Sequence, residues 1–158
     1  MTTKSIESVW DYPRPPRLEA FKGVVKVIGG GMTIAESTNS FRVLETSHPP
    51  VYYIPKEDIA MTYLEKTSKT SYCEYKGKAT YWNLKINCTV IHEAAWSYEL
   101  PVPVYRAITG YLAFYAEKVD ACYVDDEKVK PQDGNFYGGW ITSHIKGPFK
   151  GAPGTEGW

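Results

Sequence analysis

The sequence predicts a mainly β fold, a compact antiparallel β-sheet domain with one or two short helices, and three observations predict it. Short runs of β-branched and aromatic residues recur, as over 24–28 and 51–54, and such runs suit a pleated, half-buried surface. The 13 glycines and 11 prolines fall between the runs and punctuate them. The best helical period, over 56–66, lasts barely two turns. About eight to eleven short strands follow from this punctuation.

Residues 1–22 read as an extended N-terminal arm, because Trp10, Tyr12, Pro13, Pro15 and Pro16 fit neither a helix interior nor a central strand. The run 24–28 ends at Gly29-Gly30-Gly31, and a second run over 32–37 follows, which reads as a hairpin. Residues 41–46 form the next strand, closed at His48-Pro49-Pro50, and 51–54 form another, stopped by Pro55. Over 56–66, Ile59 and Tyr63 lie four apart and Glu57 and Asp58 suit a helix N-terminus, so one short helix or a 3₁₀ turn is expected. Residues 71–75 and 79–86 flank Lys76-Gly77-Lys78 as a further hairpin. Residues 89–100 read as a strand broken by Pro101 and Pro103, with a second short helix over 103–109. Residues 111–115 and 119–124 are β-prone, and Asp125-Asp126-Glu127 turns the chain back to Val129.

The segment 134–158 holds seven glycines, the composition of a flexible tail. Phe136, Tyr137, Trp140, Phe149 and Trp158 are spaced through it, too many large rings for a solvated linker. An ordered, irregular strap pinned by those rings is expected, and its removal is expected to expose apolar surface. No repeat and no internal boundary divides the chain, so residues 1–158 are expected to form one domain.

Lys+Arg and Asp+Glu both number 18, giving a formal net charge of zero. Such a chain has no global field to draw in nucleic acid or an acidic membrane, and neither is expected as a partner. No apolar run approaches the roughly 20 residues of a membrane span, and no basic segment leads into an apolar run with a small-residue cleavage site, so no leader is expected. Three cysteines, an odd number, argue against a complete disulfide framework and for a cytoplasmic, reduced setting. Stability independent of reductant is expected with them. Monomer and homodimer both fit.

Several segments taken in order carry a family resemblance. They are Ala35-Glu36-Ser37, Leu44-Glu45, Pro49-Pro50-Val51-Tyr52-Tyr53-Ile54-Pro55 and Thr70-Ser71-Tyr72-Cys73-Glu74-Tyr75-Lys76-Gly77. Ala94-Ala95-Trp96-Ser97-Tyr98, Phe114-Tyr115, Val119-Asp120, Phe136-Tyr137-Gly138-Gly139-Trp140 and Gly147-Pro148-Phe149-Lys150-Gly151 follow. Together, over roughly residues 12–158, the chain resembles the domain-of-unknown-function family numbered 427, whose label is nucleotidyltransferase-like. The resemblance implies a mostly antiparallel β domain, loosely similar to β-tent folds, with a small pocket between two sheets. β-tent folds often carry a four-cysteine zinc site; this chain has no C-x-x-C pair, so no structural metal and no cofactor is expected. The resemblance brings no established activity, and function is argued from the residues.

Cys73 is a candidate nucleophile, with Lys76 three residues on and Lys69 four before to favour a thiolate. In a strand Lys76 points away from Cys73 unless the turn at Gly77 rotates it; the plain alternative is a buried cysteine beside a hairpin. Cys88-x-x-x-His92, even with Cys122 or His144, is a weak metal pattern, because two strand positions four apart are about 13 Å distant. The three glycines at 29–31 lack the following helix of a phosphate loop, and no Gly-Ser followed by spaced aspartates supports nucleotidyl transfer. Glu36, Glu45 and Glu93 sit in apolar strand contexts; Glu45, ahead of the rigid His48-Pro49-Pro50 corner, is the candidate acid or base.

Aromatic residues make up 15% of the chain and tyrosine supplies 13 of them. On a strand, Ala94, Trp96, Tyr98 and Leu100 share one face. Of these, Trp96 and Tyr98 join Tyr53, Phe114, Tyr115 and Lys76 as the candidate ligand-binding set, beside the candidate catalytic pair Cys73 and Glu45. A pocket wall and a Tyr-rich core look alike in sequence, and both readings stand. The leading reading is a domain binding an unidentified small molecule in an aromatic pocket. The alternatives are an enzyme using Cys73 or Glu45 in that pocket, nucleotidyl transfer included, and a protein-interaction module. A cavity touching Trp96 or Tyr98 together with Glu45, Cys73 or Lys76 separates the pocket from a closed core.

Overall fold

The computed structural model describes residues 6–134 and 137–158; residues 1–5 of the arm and Phe136 of the strap lie outside the described residues. In chain order the strands are β1 (Glu7–Ser8), β2 (Arg17–Ala20), β3 (Val25–Gly29), β4 (Met32–Ser37), β5 (Phe41–Leu44), β6 (Val51–Tyr53), β7 (Leu64–Cys73) and β8 (Gly77–Ile86). β9 (Thr89–Ser97), β10 (Leu112–Phe114), β11 (Ala121–Val124), β12 (Glu127–Lys128), β13 (Lys130–Pro131), β14 (Trp140–Ile141) and β15 (Ile145–Lys146) complete them. Strand takes 46% of the chain against 10% helix, so the fold is mainly β. The helical share consists of 3₁₀ turns at Val9–Asp11, Lys56–Asp58, Met61–Tyr63 and Pro103–Ile108.

Two four-stranded sheets, β10-β9-β8-β7 and β12-β11-β3-β4, and one three-stranded sheet, β2-β5-β6, carry the architecture. Tight turns set their register. Gly30 and Gly31, at φ 56° and 76°, form the two-residue loop between β3 and β4, the left-handed pair that a hairpin with the native twist demands. Asp125 and Asp126, at φ 48° and 70°, do the same between β11 and β12. The edge strand β7, LEKTSKTSYC, carries Glu65, Lys66 and Lys69 on its exposed positions, charges that discourage pairing with another chain. Ile54 and Leu112 exchange two backbone hydrogen bonds, 2.8 and 2.9 Å, and so join β6 to β10.

The larger core lies between β3, β4 and β11 on one side and β6, β8, β9 and β10 on the other. Val25, Val27, Ile34, Cys122 and Val124 meet Ile54, Trp82, Leu84, Leu112 and Phe114 there. A second apolar cluster, with Val43, Tyr53, Tyr81, Trp96, Tyr98 and Tyr115, packs separately from it.

Several local expectations are refined or corrected. Over 56–66 the 3₁₀ alternative holds, as two turns followed by the start of β7 and no α-helix. Ile59 between the turns bridges to Ala35, and the Ala60 amide donates to Ile34 at 2.8 Å; pairing along the β4 edge outweighs a period too short to sustain a helix. The arm is not extended throughout, because Val9–Asp11 form a 3₁₀ turn; its last part is extended and joins a sheet, β2 pairing with β5 in register Arg17 to Leu44, and Pro13, Pro15 and Pro16 all precede that ladder and take no amide from it. The strand expected over 89–100 ends at Ser97, where the chain turns off toward the loop that returns as β10. The hairpin expected at Lys76-Gly77-Lys78 turns instead at Glu74-Tyr75-Lys76, since Cys73 already pairs with Gly77.

The strap is ordered where it is described. Trp140 is 1% exposed, stacks on Tyr52 with centroids 5.2 Å apart, and donates from Nε1 to the Phe114 carbonyl at 3.0 Å. Its backbone amide donates to the Pro50 carbonyl at 2.9 Å. β15 pairs in parallel with β1, so the strap also holds the arm. Trp140→Ala is therefore expected to cost about 3–5 kcal/mol of unfolding free energy, measured by urea denaturation; a loss below about 1 kcal/mol would show the strap to be a passive tail.

The arm is tied to β5 by charge. Buried Arg42 donates in a fork to Glu7, Nη1 and Nη2 each at 3.1 Å from a carboxylate oxygen, and from Nε to Glu19 at 3.0 Å. The Tyr12 hydroxyl donates to Glu7 at 2.5 Å. Burial works to raise the Glu7 pKa, but the hydrogen bonds from Arg42 and Tyr12 outweigh it and hold the carboxyl below its ordinary 4.5. A depressed folded pKa contributes stability in full above the unfolded value and loses it as pH falls through the folded one. The denaturation midpoint is thus expected to fall more steeply below pH 4.5 in the wild type than in Glu7→Gln; parallel acid profiles would refute the assignment.

Candidate functional site

Strand alternation divides the aromatic residues between two faces. Tyr81 pairs with Trp96, and Trp96 with Ala113, while one residue along Trp82 pairs with Ala95, and Ala95 with Phe114. Successive side chains point to opposite faces, so Trp82, Ala95 and Phe114 enter the larger core and Tyr81, Trp96 and Ala113 enter the second cluster. Tyr52 and Tyr53 are split in the same way.

On the second face the side chains leave a cavity of about 310 Å³. Val43, Val51 and Tyr53 line it from β5 and β6; Ser71, Tyr72 and Cys73 from β7; Ala79, Tyr81 and Trp96 from β8 and β9. Tyr98 and Tyr115 follow the ends of β9 and β10. The turn Glu74-Tyr75-Lys76 closes one side, and Glu45, His48 and Pro49 close another. Gln132, Tyr137, Gly138 and Lys150 lie over it from the C-terminal segment.

Of the residues singled out in the sequence, Cys73, Glu45, Tyr53, Lys76, Trp96, Tyr98 and Tyr115 all line this cavity. Phe114 does not: it is fully buried in the larger core, because it neighbours Tyr115 on a strand and so faces the other way. Ala94 and Leu100 also leave the expected face. Glu93 sits at φ 53° beside a register shift, and this bulge turns Ala94 into the larger core; Leu100 lies beyond the strand and is exposed. Glu36 is exposed on β4, and Glu93 pairs with Lys69 at 3.0 Å; neither lines the cavity. Cys88 occupies the turn after β8 rather than a strand, and Cys122 is buried in the larger core. Among the described residues no group of three His, Cys, Asp or Glu side chains could hold a metal ion.

The wall is a hydrogen-bonded ring assembly. Trp96 Nε1 donates to the Tyr53 hydroxyl at 3.2 Å, and Ser71 Oγ lies 2.8 Å from the Tyr81 hydroxyl. Tyr98 lies with its ring centroid 6.3 Å from that of Tyr53, and burial, with Tyr53 and Cys73 beside it, raises its pKa. Trp96 and Tyr115 lie with centroids 4.6 Å apart at 45°, and Tyr53 meets Trp96 edge-on at 6.2 Å. Burial raises the pKa of Tyr53, Tyr98 and Tyr115 above the ordinary 10, so these hydroxyls keep their protons at neutral pH and offer donors to a guest.

The charged lining differs in partnership. Glu45 pairs with Arg14 at 3.5 Å. Lys150 donates to the Trp158 carbonyl at 3.3 Å and lies over the Tyr137 ring. Lys76 is 8% exposed, and its ammonium stands 5.8 Å from the centre of the Tyr98 ring.

His48, Gln132, Tyr137 and Lys150 are among the lining residues that sequence reasoning did not select. His48 was read only as the end of a strand. Gln132 is buried; its Nε2 donates to the Lys150 carbonyl at 2.6 Å and its Oε1 accepts from the Gly139 amide at 3.1 Å, which fastens the overlying segment at two points. A buried glutamine near a glycine-rich segment carries no sequence signal for that role.

The chain belongs to the family described as Domain of unknown function (DUF427), whose model matches residues 17–125. That stretch runs from β2 to the end of β11, and Gln132, Tyr137, Gly138 and Lys150 lie beyond it. No curated protein matches the chain. Asp125 and Asp126, where the matched stretch ends, form a hairpin turn and do not line the cavity. No helix among the described residues is long and apolar enough to cross a membrane.

His48 Nδ1 lies 2.9 Å from the Thr46 carbonyl, and the ring meets Tyr137 edge-on at 5.1 Å. Burial lowers its pKa below 6.5, against the opposing pull of Glu45 and the Thr46 carbonyl. The neutral ring therefore donates from Nδ1 and keeps the Nε2 lone pair. Its folded pKa is depressed, so the stability it contributes is present above 6.5 and lost as pH falls through the folded value. NMR titration is expected to show this ring titrating below 6.5; a midpoint above 6.5 would mean that Glu45 governs it.

Proposed function

We propose that this chain is a small-molecule-binding domain, cytosolic in setting, whose site is the aromatic cavity. The observation that carries the reading is the void itself, about 310 Å³ left open among rings that elsewhere in the molecule close on one another. Protein interiors hold few voids larger than a water molecule, whose share of liquid volume is about 30 Å³. A space some ten times that size, with convergent hydroxyls and charged groups at an apolar wall, has the character of a ligand pocket at the small end of the usual range. It suits a molecule of one or two rings.

Thermal unfolding with a panel of one- and two-ring compounds tests this. A compound at 100 times its Kd stabilises by about 2.7 kcal/mol and is expected to raise Tm. Ala79 is buried against the void, so Ala79→Phe is expected to fill the space and abolish the shift, with far-UV circular dichroism confirming that the variant folds. A panel without any shift, or shifts unchanged in the folded variant, would refute the reading.

One observation favours a second reading, an enzyme on the same wall: the Cys73 thiol lies beside Tyr98. A bound compound would then be consumed over time, and Cys73→Ala would stop its loss while leaving the thermal shift.

A further inference from the structure

We infer that the molecule held in this cavity is an aromatic anion, its ring among Tyr53, Trp96 and Tyr115 and its negative group on the ammonium of Lys76. The inference rests on the cavity being a small-molecule site. A lysine on a hairpin turn ordinarily extends into water, yet Lys76 is 8% exposed and faces the void. The loop that follows β9 covers its turn: the Val102 amide donates to the Lys76 carbonyl at 2.8 Å, and Gly77, at φ 112°, packs against the backbone of residues 100–102.

The stem is packed, while the ammonium itself is not among the fully buried polar atoms, so it opens onto the cavity that its side chain lines. Among the described residues no hydrogen-bond acceptor and no carboxylate within 4.0 Å meets the Lys76 ammonium, and its one contact of that kind is the Tyr98 ring at 5.8 Å. The other charged groups of the wall differ from it: Glu45 pairs with Arg14, Lys150 donates to the Trp158 carbonyl, and Glu74 is exposed. Lys76 is thus the lining cation left without an acceptor among the described residues, beside aromatic faces. An anionic group supplies the acceptor that it lacks. An ammonium is a point charge with three donors and no planar fork, so a carboxylate or a sulfonate meets it equally well.

Isothermal titration calorimetry with three charge-only pairs tests this: benzoate and benzamide, 2-naphthoate and 2-naphthamide, indole-3-carboxylate and its amide. At least one acid is expected to bind more tightly than its amide. Lys76→Met is expected to weaken that acid by about tenfold or more, the scale of a lost charge-assisted hydrogen bond, while changing the amide less than about twofold. The unliganded Lys76→Met protein is expected to melt close to the wild-type temperature, since the ammonium has no hydrogen-bond or ion-pair partner to lose and the methionine keeps the packed stem. Acid and amide binding equally, with the variant altering neither or both alike, overturns the anion assignment and leaves the binding reading intact. No heat from any of the six probes overturns the assignment, and the panel of neutral compounds then decides the binding reading separately. A variant that melts well below the wild type overturns the claim that Lys76 is unmatched.

Discussion

Two hydrogen bonds between Ile54 and Leu112 make this molecule what it is. The amide of each donates to the carbonyl of the other, at 2.8 and 2.9 Å, and both residues are fully buried. Any one of those groups left unpaired in such a place would cost about 1–3 kcal/mol. The pair joins β6 to β10, so β2-β5-β6 and β10-β9-β8-β7 become one seven-stranded surface. Trp140 seals the same seam. Its amide is bonded to Pro50, ahead of β6, and its indole to Phe114, at the end of β10. Without the seam, Val43 and Tyr53 on one sheet would not face the same space as Tyr81 and Trp96 on the other.

That surface does opposite things with its two faces. One is packed shut by aliphatic and aromatic side chains against β3, β4 and β11. The other carries rings that pack in a separate apolar cluster, with tyrosine hydroxyls bonded to Ser71 and to the Trp96 indole. Amphipathic rings suit this, because each presents an apolar body and fixes itself by its tip. The segment with Gln132, Tyr137, Gly138 and Lys150 passes over them, and the cavity lies between.

Much of this could be read in the residues, and what could not has identifiable causes. The triple glycine at 29–31 and the paired aspartates at 125–126 dictate left-handed turns locally, and both hairpins fall there. Trp96, Tyr98, Glu45 and the Cys73–Lys76 turn meet at one void because prolines and a hairpin fix their corners from nearby sequence. Phe114 went to the wrong face for want of strand phase: Phe114 and Tyr115 are adjacent, and the register with β9 decides which of them points inward. Ala94 was displaced by a bulge at Glu93 that no residue preference announces. The contribution of Gln132, Tyr137 and Lys150 depends on a return of the chain over the sheet, a long-range event with no local period.

Gly138 lies so close over the Trp96 indole that a Cβ built there would fall 2.1 Å from the ring. Volume at these two positions is therefore a shared quantity. Across sequences that keep this architecture, a side chain can appear at 138 only where the residue at 96 has shrunk, and a tryptophan at 96 confines 138 to glycine. The two sites are sterically coupled although one lies in the strand wall and the other in the segment that covers it. A larger residue at 138 set against a smaller one at 96 would also move the free volume from beside the ring to beneath the covering segment, so drift at this pair reshapes the cavity without altering any of its charges.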